Sequence, residues 1–198
     1  MMSQHSIGRC RCLALLVFVG VLAGCALTEP SRFYLLSTTP PKGVAAPAAD
    51  SVAVGVEPVS LPAYLDRPQI VRRESAHTLE LSEFHRWGEP LDGAITRVLA
   101  GNLAARLKSE RVFVVSARPQ ATATVTVDVD FARFDADPDG SAVMSAQWRV
   151  LNARGAEVAA SRTEVRQPAG ATVDDTVAAL SNALGVLSDD IAATIRRR

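Results

Sequence analysis

The segment TATVTVDVDF, residues 122–131, constrains the fold more than any other stretch. Val125, Val127, Val129 and Phe131 share one face, while Thr124, Thr126, Asp128 and Asp130 share the other. A period of two with one apolar side marks a strand that covers a core on one face and meets water on the other. Residues 142–151 repeat the pattern through Met144, Ala146, Trp148 and Val150, and a turn at 152–155 leads to a further strand over 157–166. Upstream, short strands are expected at 33–37, at 51–59 with Val52, Val54 and Val56 on one side, and at 111–116. A Pro-bounded turn around Leu61, Pro62 and Tyr64 separates the second of these from a hairpin formed by 69–73 and 78–84.

Two segments change period. Leu91, Ile95, Val98, Leu99, Leu103 and Leu107 recur at helical spacing behind Pro90, whose fixed φ suits the start of a helix. Val173, Val177, Leu180, Leu184, Leu187, Ile191 and Ile195 form a longer stripe over 173–197. Thr172 stands at its N-cap, Asp175 completes a capping box, and Arg196, Arg197 and Arg198 meet the negative end of the helix dipole. Alternating strands leave one sheet face to be covered, and two helices suffice to cover it. The fold class is therefore α+β: a single domain with a mainly antiparallel or mixed sheet and two amphipathic helices packed on one face.

The first 24 residues stand outside that fold. Arg9 and Arg11 precede an uncharged apolar run at 13–22 and then small residues, the three parts of a secretory signal. The run falls short of the roughly 20 apolar residues that cross a bilayer as a helix. Leu22, Ala23, Gly24 and Cys25 resemble a bacterial lipobox. Cleavage after Gly24 would leave Cys25 as an N-palmitoyl, S-diacylglycerol cysteine. The chain thus divides into a cleaved lipoprotein signal peptide over 1–24, a lipidated tether over 25–32 and a folded domain over 33–198. Cys10 and Cys12 leave with the signal, so no disulfide framework supports the domain and it must stand on its core. Ala26 occupies the position where inner-membrane retention resembles a pattern with Asp, which places the chain on the periplasmic face of the outer membrane. Loss of Arg9 and Arg11 from a chain with 21 basic and 21 acidic residues leaves a slight acidic excess, with no electrostatic footprint for nucleic acid.

Several constellations invite a chemical reading. In FDADPDGS, residues 134–141, Asp135, Asp137 and Asp139 match the opening of a calcium loop. The twelfth position, which should be a bidentate Glu, is Ala146, and Pro138, Asp139 and Gly140 form a hairpin-turn signature instead. Asp128 and Asp130 share a strand face as acid and base carboxylates would, but lie among threonines on a wetted side. His77 and His85 are the two histidines past the signal, and no nucleophile elbow accompanies them. The expectation is a chain without catalytic residues, metal ligands or cofactor. A lipid-anchored periplasmic hydrolase using Asp128, Asp130 or His85 is the competing reading, with a structural envelope lipoprotein as a third. Tyr64, Phe84 and Trp87 each lie near a Pro-bounded bend, where aromatics serve core corners or interfaces, and are the candidate interface residues.

Four pieces then occur in order behind the lipobox: SRFYLLS, SLPAYLDRPQIV, FHRWGEPL leading into a helix, and FARFDADPDG. Together they resemble the ABC-type transport auxiliary lipoproteins, over residue 33 to the last helix. That resemblance implies a non-catalytic outer-membrane component of an intermembrane system that moves lipid or another hydrophobic solute. Its implied partners are a periplasm-spanning MCE-domain protein, through it an inner-membrane permease with or without an ATPase, and outer-membrane lipid. A homo-oligomer is compatible with it. The resemblance carries over Cys25 as the functional position.

Overall fold

The structure, a computed structural model, describes residues 29–41, 52–117 and 121–197. The alternating segment becomes the trunk of the sheet, β6 (Val125–Ala136). Val127, Val129 and Phe131 are buried and Asp130 is exposed, as the period of two requires. The strand runs five residues beyond its expected end because a bulge between Phe131 and Arg133 interrupts the alternation. The extra residue, Ala132, is exposed, and Phe134 returns to the core, edge-to-face with Phe131.

Seven further strands assemble around that trunk. On one side β6 pairs antiparallel with β7 (Ser141–Asn152), and β7 with β8 (Glu157–Pro168). The other side is shared. The first residues of β6 pair in parallel with β2 (Val54–Val56), Asp130 bridges to Ser60, and Ala136 pairs with Arg72 of β3 (Gln69–Arg73). Outward from β2 lies β5 (Val112–Val114), in parallel; outward from β3 lie β4 (Leu79–Trp87), antiparallel, and β1 (Arg32–Tyr34), parallel to β4. The result is a curled mixed sheet of eight strands. Strands β1, β2 and β5 are shorter than the sequence led one to expect. Two residues past Val56 stands Pro58, without an N–H for a ladder, and Val114 runs into a 3-10 turn at Val115–Ala117.

Helices α1 (Leu91–Leu107) and α2 (Val173–Arg196) pack on each other; α1 also packs on β2 and β5, and α2 on β6, β7 and β8. The expected stripe of α1 is buried throughout, but so are Thr96, Asn102 and Arg106, so this helix is enclosed around more of its girth than an amphipathic pattern implies. Val177 to Ile195 of the α2 stripe are buried, with Val173 half-buried at its start. The capping box forms: the Thr172 hydroxyl accepts from the Asp175 amide at 3.1 Å, and the Asp175 carboxylate accepts from the Thr172 amide at 3.1 Å. Hydrogen bonds from Thr172 hold the Asp175 carboxyl below the usual carboxylate range. The described residues from Arg32 onward form one compact unit, consistent with a single α+β domain.

Candidate functional site

The N-terminal arm, residues 32–39, is the part of the domain whose side chains are sorted most sharply. Arg32, Phe33 and Tyr34 pair with His85, Arg86 and Trp87 of β4. Along the arm Tyr34 and Leu36 turn inward while Phe33 and Leu35 turn outward, 67% and 59% exposed. The Tyr34 hydroxyl meets Nδ1 of His85 at 2.7 Å. Gly88 donates its amide to the Tyr34 carbonyl at 2.9 Å. A Cβ at Gly88 would stand 3.0 Å from the tip of the Leu35 side chain, which lies against this glycine.

Beyond Leu36 the arm crosses the helix pair. The Ser37 amide donates to Ser181 Oγ at 3.2 Å, and the Thr39 amide to Asn102 Oδ1 at 2.9 Å. Glycines make the room: a Cβ at Gly101 would sit 2.8 Å from Thr38, and one at Gly185 would collide with the Thr39 side chain. Arg106 closes the clasp. Its Nε donates to Asp189 at 2.6 Å, and its two terminal nitrogens to the carbonyls of Thr39 and Gly185 at 3.0 Å and of Asn102 at 3.3 Å, with a further bond to Thr39 Oγ1. A 3%-exposed guanidinium is tolerable only because its donors are taken in this way.

The candidate interface aromatics take separate positions. Trp87 is buried, a core corner beside the start of α1. Tyr64, on the 3-10 turn Ala63–Leu65, is half-buried and donates to Asp135 at 2.7 Å. Burial, then the bond and charge of Asp135, push its hydroxyl up to about 12. Phe84 of β4 remains 37% exposed. A hollow of about 360 Å³ opens near Trp87, floored by Pro68, Gly88, Pro90 and Leu91. Cys25 lies outside the described residues.

The carboxylates of the 134–141 segment, and Asp128, are engaged by cations. Asp135, fully buried, accepts from Tyr64, from Arg73 Nε at 3.2 Å and from Arg133. Asp137 accepts from Arg133 at 2.6 Å and from Arg166, which also reaches Asp139 at 2.9 Å. Burial opposes the charge of Arg133, but the bonds to Asp135 and Asp137 outweigh it and raise its pKa. Residues Asp137–Gly140 make the hairpin turn between β6 and β7, with Gly140 at φ +80° and the Ser141 amide donating to Asp139. On the polar sheet face Asp128 accepts from Arg149 across the β6–β7 pair, at 2.7 Å from Nε. His85 is held by Tyr34, on a different strand from Asp128 and Asp130. Among the described residues no three His, Cys, Asp or Glu side chains converge to hold a metal. Nor is any helix among them long and apolar enough to cross a membrane.

Phe33, Leu35 and Arg106 are prominent in the structure but belong to none of the sequence constellations. The signal for the first two was present, since FYLL places alternate apolar residues outside on any edge strand. For Arg106 the signal was its place between Leu103 and Leu107, on an arc of α1 that is otherwise buried.

Comparison with known proteins follows the domain closely. The model of a family described as ABC-type transport auxiliary lipoprotein component matches residues 34–192. The intermembrane transport lipoproteins PqiC of Escherichia coli (strain K12) and Shigella flexneri are each 28% identical over 135 residues, 68% of this chain and 70% of theirs. A crystal structure of a Xanthomonas campestris protein shares the fold with a TM-score of 0.71 at 18% identity, covering 83% of this chain and 94% of its own. A crystal structure of an uncharacterised protein does so at 0.70 and 21% identity, over 84% and 99%.

Proposed function

The chain belongs to the ABC-type transport auxiliary lipoprotein family, and from that premise we propose that it is a non-catalytic, lipid-anchored component of an intermembrane transport system. In this reading residues 1–24 are cleaved, Cys25 carries the lipid, residues 25–32 are the tether and 33–198 the working domain. The anchor holds the domain at the periplasmic face of the outer membrane. There it docks the far end of a periplasm-spanning MCE-domain protein, whose inner-membrane partner is a permease with or without an ATPase. The cargo is a lipid or another hydrophobic solute.

The observation that carries the reading is the extent of the family match, which begins just behind the tether and ends inside α2. A domain of this size has a radius of gyration of about 16 Å, and a tether of this length reaches about 27 Å. Any bridge across the periplasm is therefore supplied by a partner. Engagement of Asp128, Asp135 and Asp137 by guanidinium groups supports a role without proton transfer. Crosslinking in intact cells followed by purification through this chain should recover an MCE-type protein; recovery of none would sink the docking role. Asp128→Asn, Asp130→Asn and His85→Ala should each restore envelope impermeability in full, and loss of complementation by any of them would favour a hydrolase.

A further inference from the structure

We propose that the outward face of the arm, Phe33 and Leu35, inserts into the bilayer that holds the anchor and so fixes which side of the domain lies against it. The inference rests on the lipidated Cys25 of the proposed function and assigns the domain a second membrane contact of its own.

Among the described residues these two are the most exposed large apolar side chains, at 67% and 59% against 37% for Leu79 and Phe84. Exposed apolar residues standing alone need no explanation, but two on the same side of the arm, one in edge strand β1 and one just past its end, form a strip. Their place in the chain names the occupant. Phe33 is eight residues past Cys25, so an acylated cysteine holds it within about 27 Å of the lipid surface at all times. A tethered group meets its target at a high effective concentration, and even a short strip then suffices. Charge agrees as well. Arg86 on β4 is the register partner of Phe33 and shares its face, which places a cation beside the apolar pair where lipid phosphates would lie.

The depth is bounded by the backbone. Among the described residues strand β1 is the last in its sheet, paired with β4 alone, so its outer N–H and C=O groups need water or headgroups. The strip therefore enters the headgroup and upper acyl boundary, the level at which aromatic rings settle in membrane proteins. A partner strand adding to this edge is the rival occupant, and three paired residues offer it a short ladder.

The test uses the full, acylated chain in vesicles of phosphatidylethanolamine with a minority of phosphatidylglycerol. Phe33→Trp and, separately, Leu35→Trp provide reporters against native Trp87 and Trp148, both buried. Glu164→Trp, at an exposed site on β8, is the reference. Emission from the arm reporters should move to the blue, and brominated acyl chains should quench it several-fold more than the reference. Equal access of acrylamide to arm and reference would overturn the proposal, as would a photocrosslinker at position 33 that captured a second copy or another protein instead of lipid. The mass of the Cys25 peptide is read in the same sample. Acylated Cys25 with a water-exposed arm overturns this inference alone, whereas an unmodified Cys25 overturns the anchor and this inference with it.

Discussion

The two halves of the arm treat the same short stretch of chain in opposite ways. Residues 36–39 are locked, with Leu36 in the core, backbone amides given to Ser181 and Asn102, and a carbonyl taken by buried Arg106. Residues 32–35 are presented, held by three paired positions and leaving Phe33 and Leu35 to the outside. Stability is thus concentrated in one half and surface chemistry in the other. A substitution in either half should report on one property and leave the other alone.

The strongest challenge to that division is Arg106→Ala. Removing a buried cation leaves Asp189 and several carbonyls without their donor, and the domain should lose about 3–5 kcal/mol in urea unfolding. Arg106→Lys should recover only part, because a point charge cannot span the sites a guanidinium fork reaches. Amide exchange at Thr39 should quicken with it; unchanged protection there would break the comparison. Gly185→Ala comes next. A methyl group driven into Thr39 should cost about 1–3 kcal/mol, whereas Gly93→Ala, with nothing within 4 Å and in the first turn of α1, should stabilise by less than about 1 kcal/mol through helix propensity alone.

A smaller effect tests whether acid loosens only the locked half. Thr172→Ala removes the cap of α2, the helix that supplies Ser181 and Gly185, and should cost about 1 kcal/mol. Asp175 has a depressed folded pKa, caused first by the Thr172 side chain. Its contribution is therefore present above the ordinary carboxylate pKa of about 4 and is lost as pH falls through the folded value. The pH dependence of unfolding should be flatter in Thr172→Ala, as urea midpoints at several pH values would show. Smallest of all, Phe33→Ser and Leu35→Ser should shift stability by no more than about 0.5 kcal/mol. A loss of 2 kcal/mol or more (about 30-fold in the folding equilibrium) would mean that the presented half is structural after all.

What the sequence disclosed follows from how local each pattern is. The β6 alternation, the α2 stripe and the Thr172–Asp175 box each write their whole signal within one segment, and each forms as expected. The bulge at Ala132 is a local surprise, since nothing in DFARF announces an extra residue. The parallel pairings of β2 join segments far apart in the chain and have no signature in either. The same holds for Asp135. Arg133, two residues before it, supplies one partner, but the others, Arg73 and Tyr64, come from 62 and 71 residues away. Read alone, the carboxylate belongs either to the opening of a calcium loop or to a hairpin-turn segment, and the hairpin turn is what forms. Tyr64, Phe84 and Trp87 share an address in sequence, near bends, yet the sheet buries one, half-buries another and leaves the third at the surface.

The order of the two halves along the chain also has a mechanical side. Tension on the domain through its N-terminal leash is felt first at Arg32, at the three paired residues of β1, and only afterwards at the Arg106 clasp. Peeling residues 32–35 would pay out about 13 Å of chain while both helices and the core beneath them stayed closed. A domain moored in this way gives before it breaks, with the yielding link placed ahead of the rigid one.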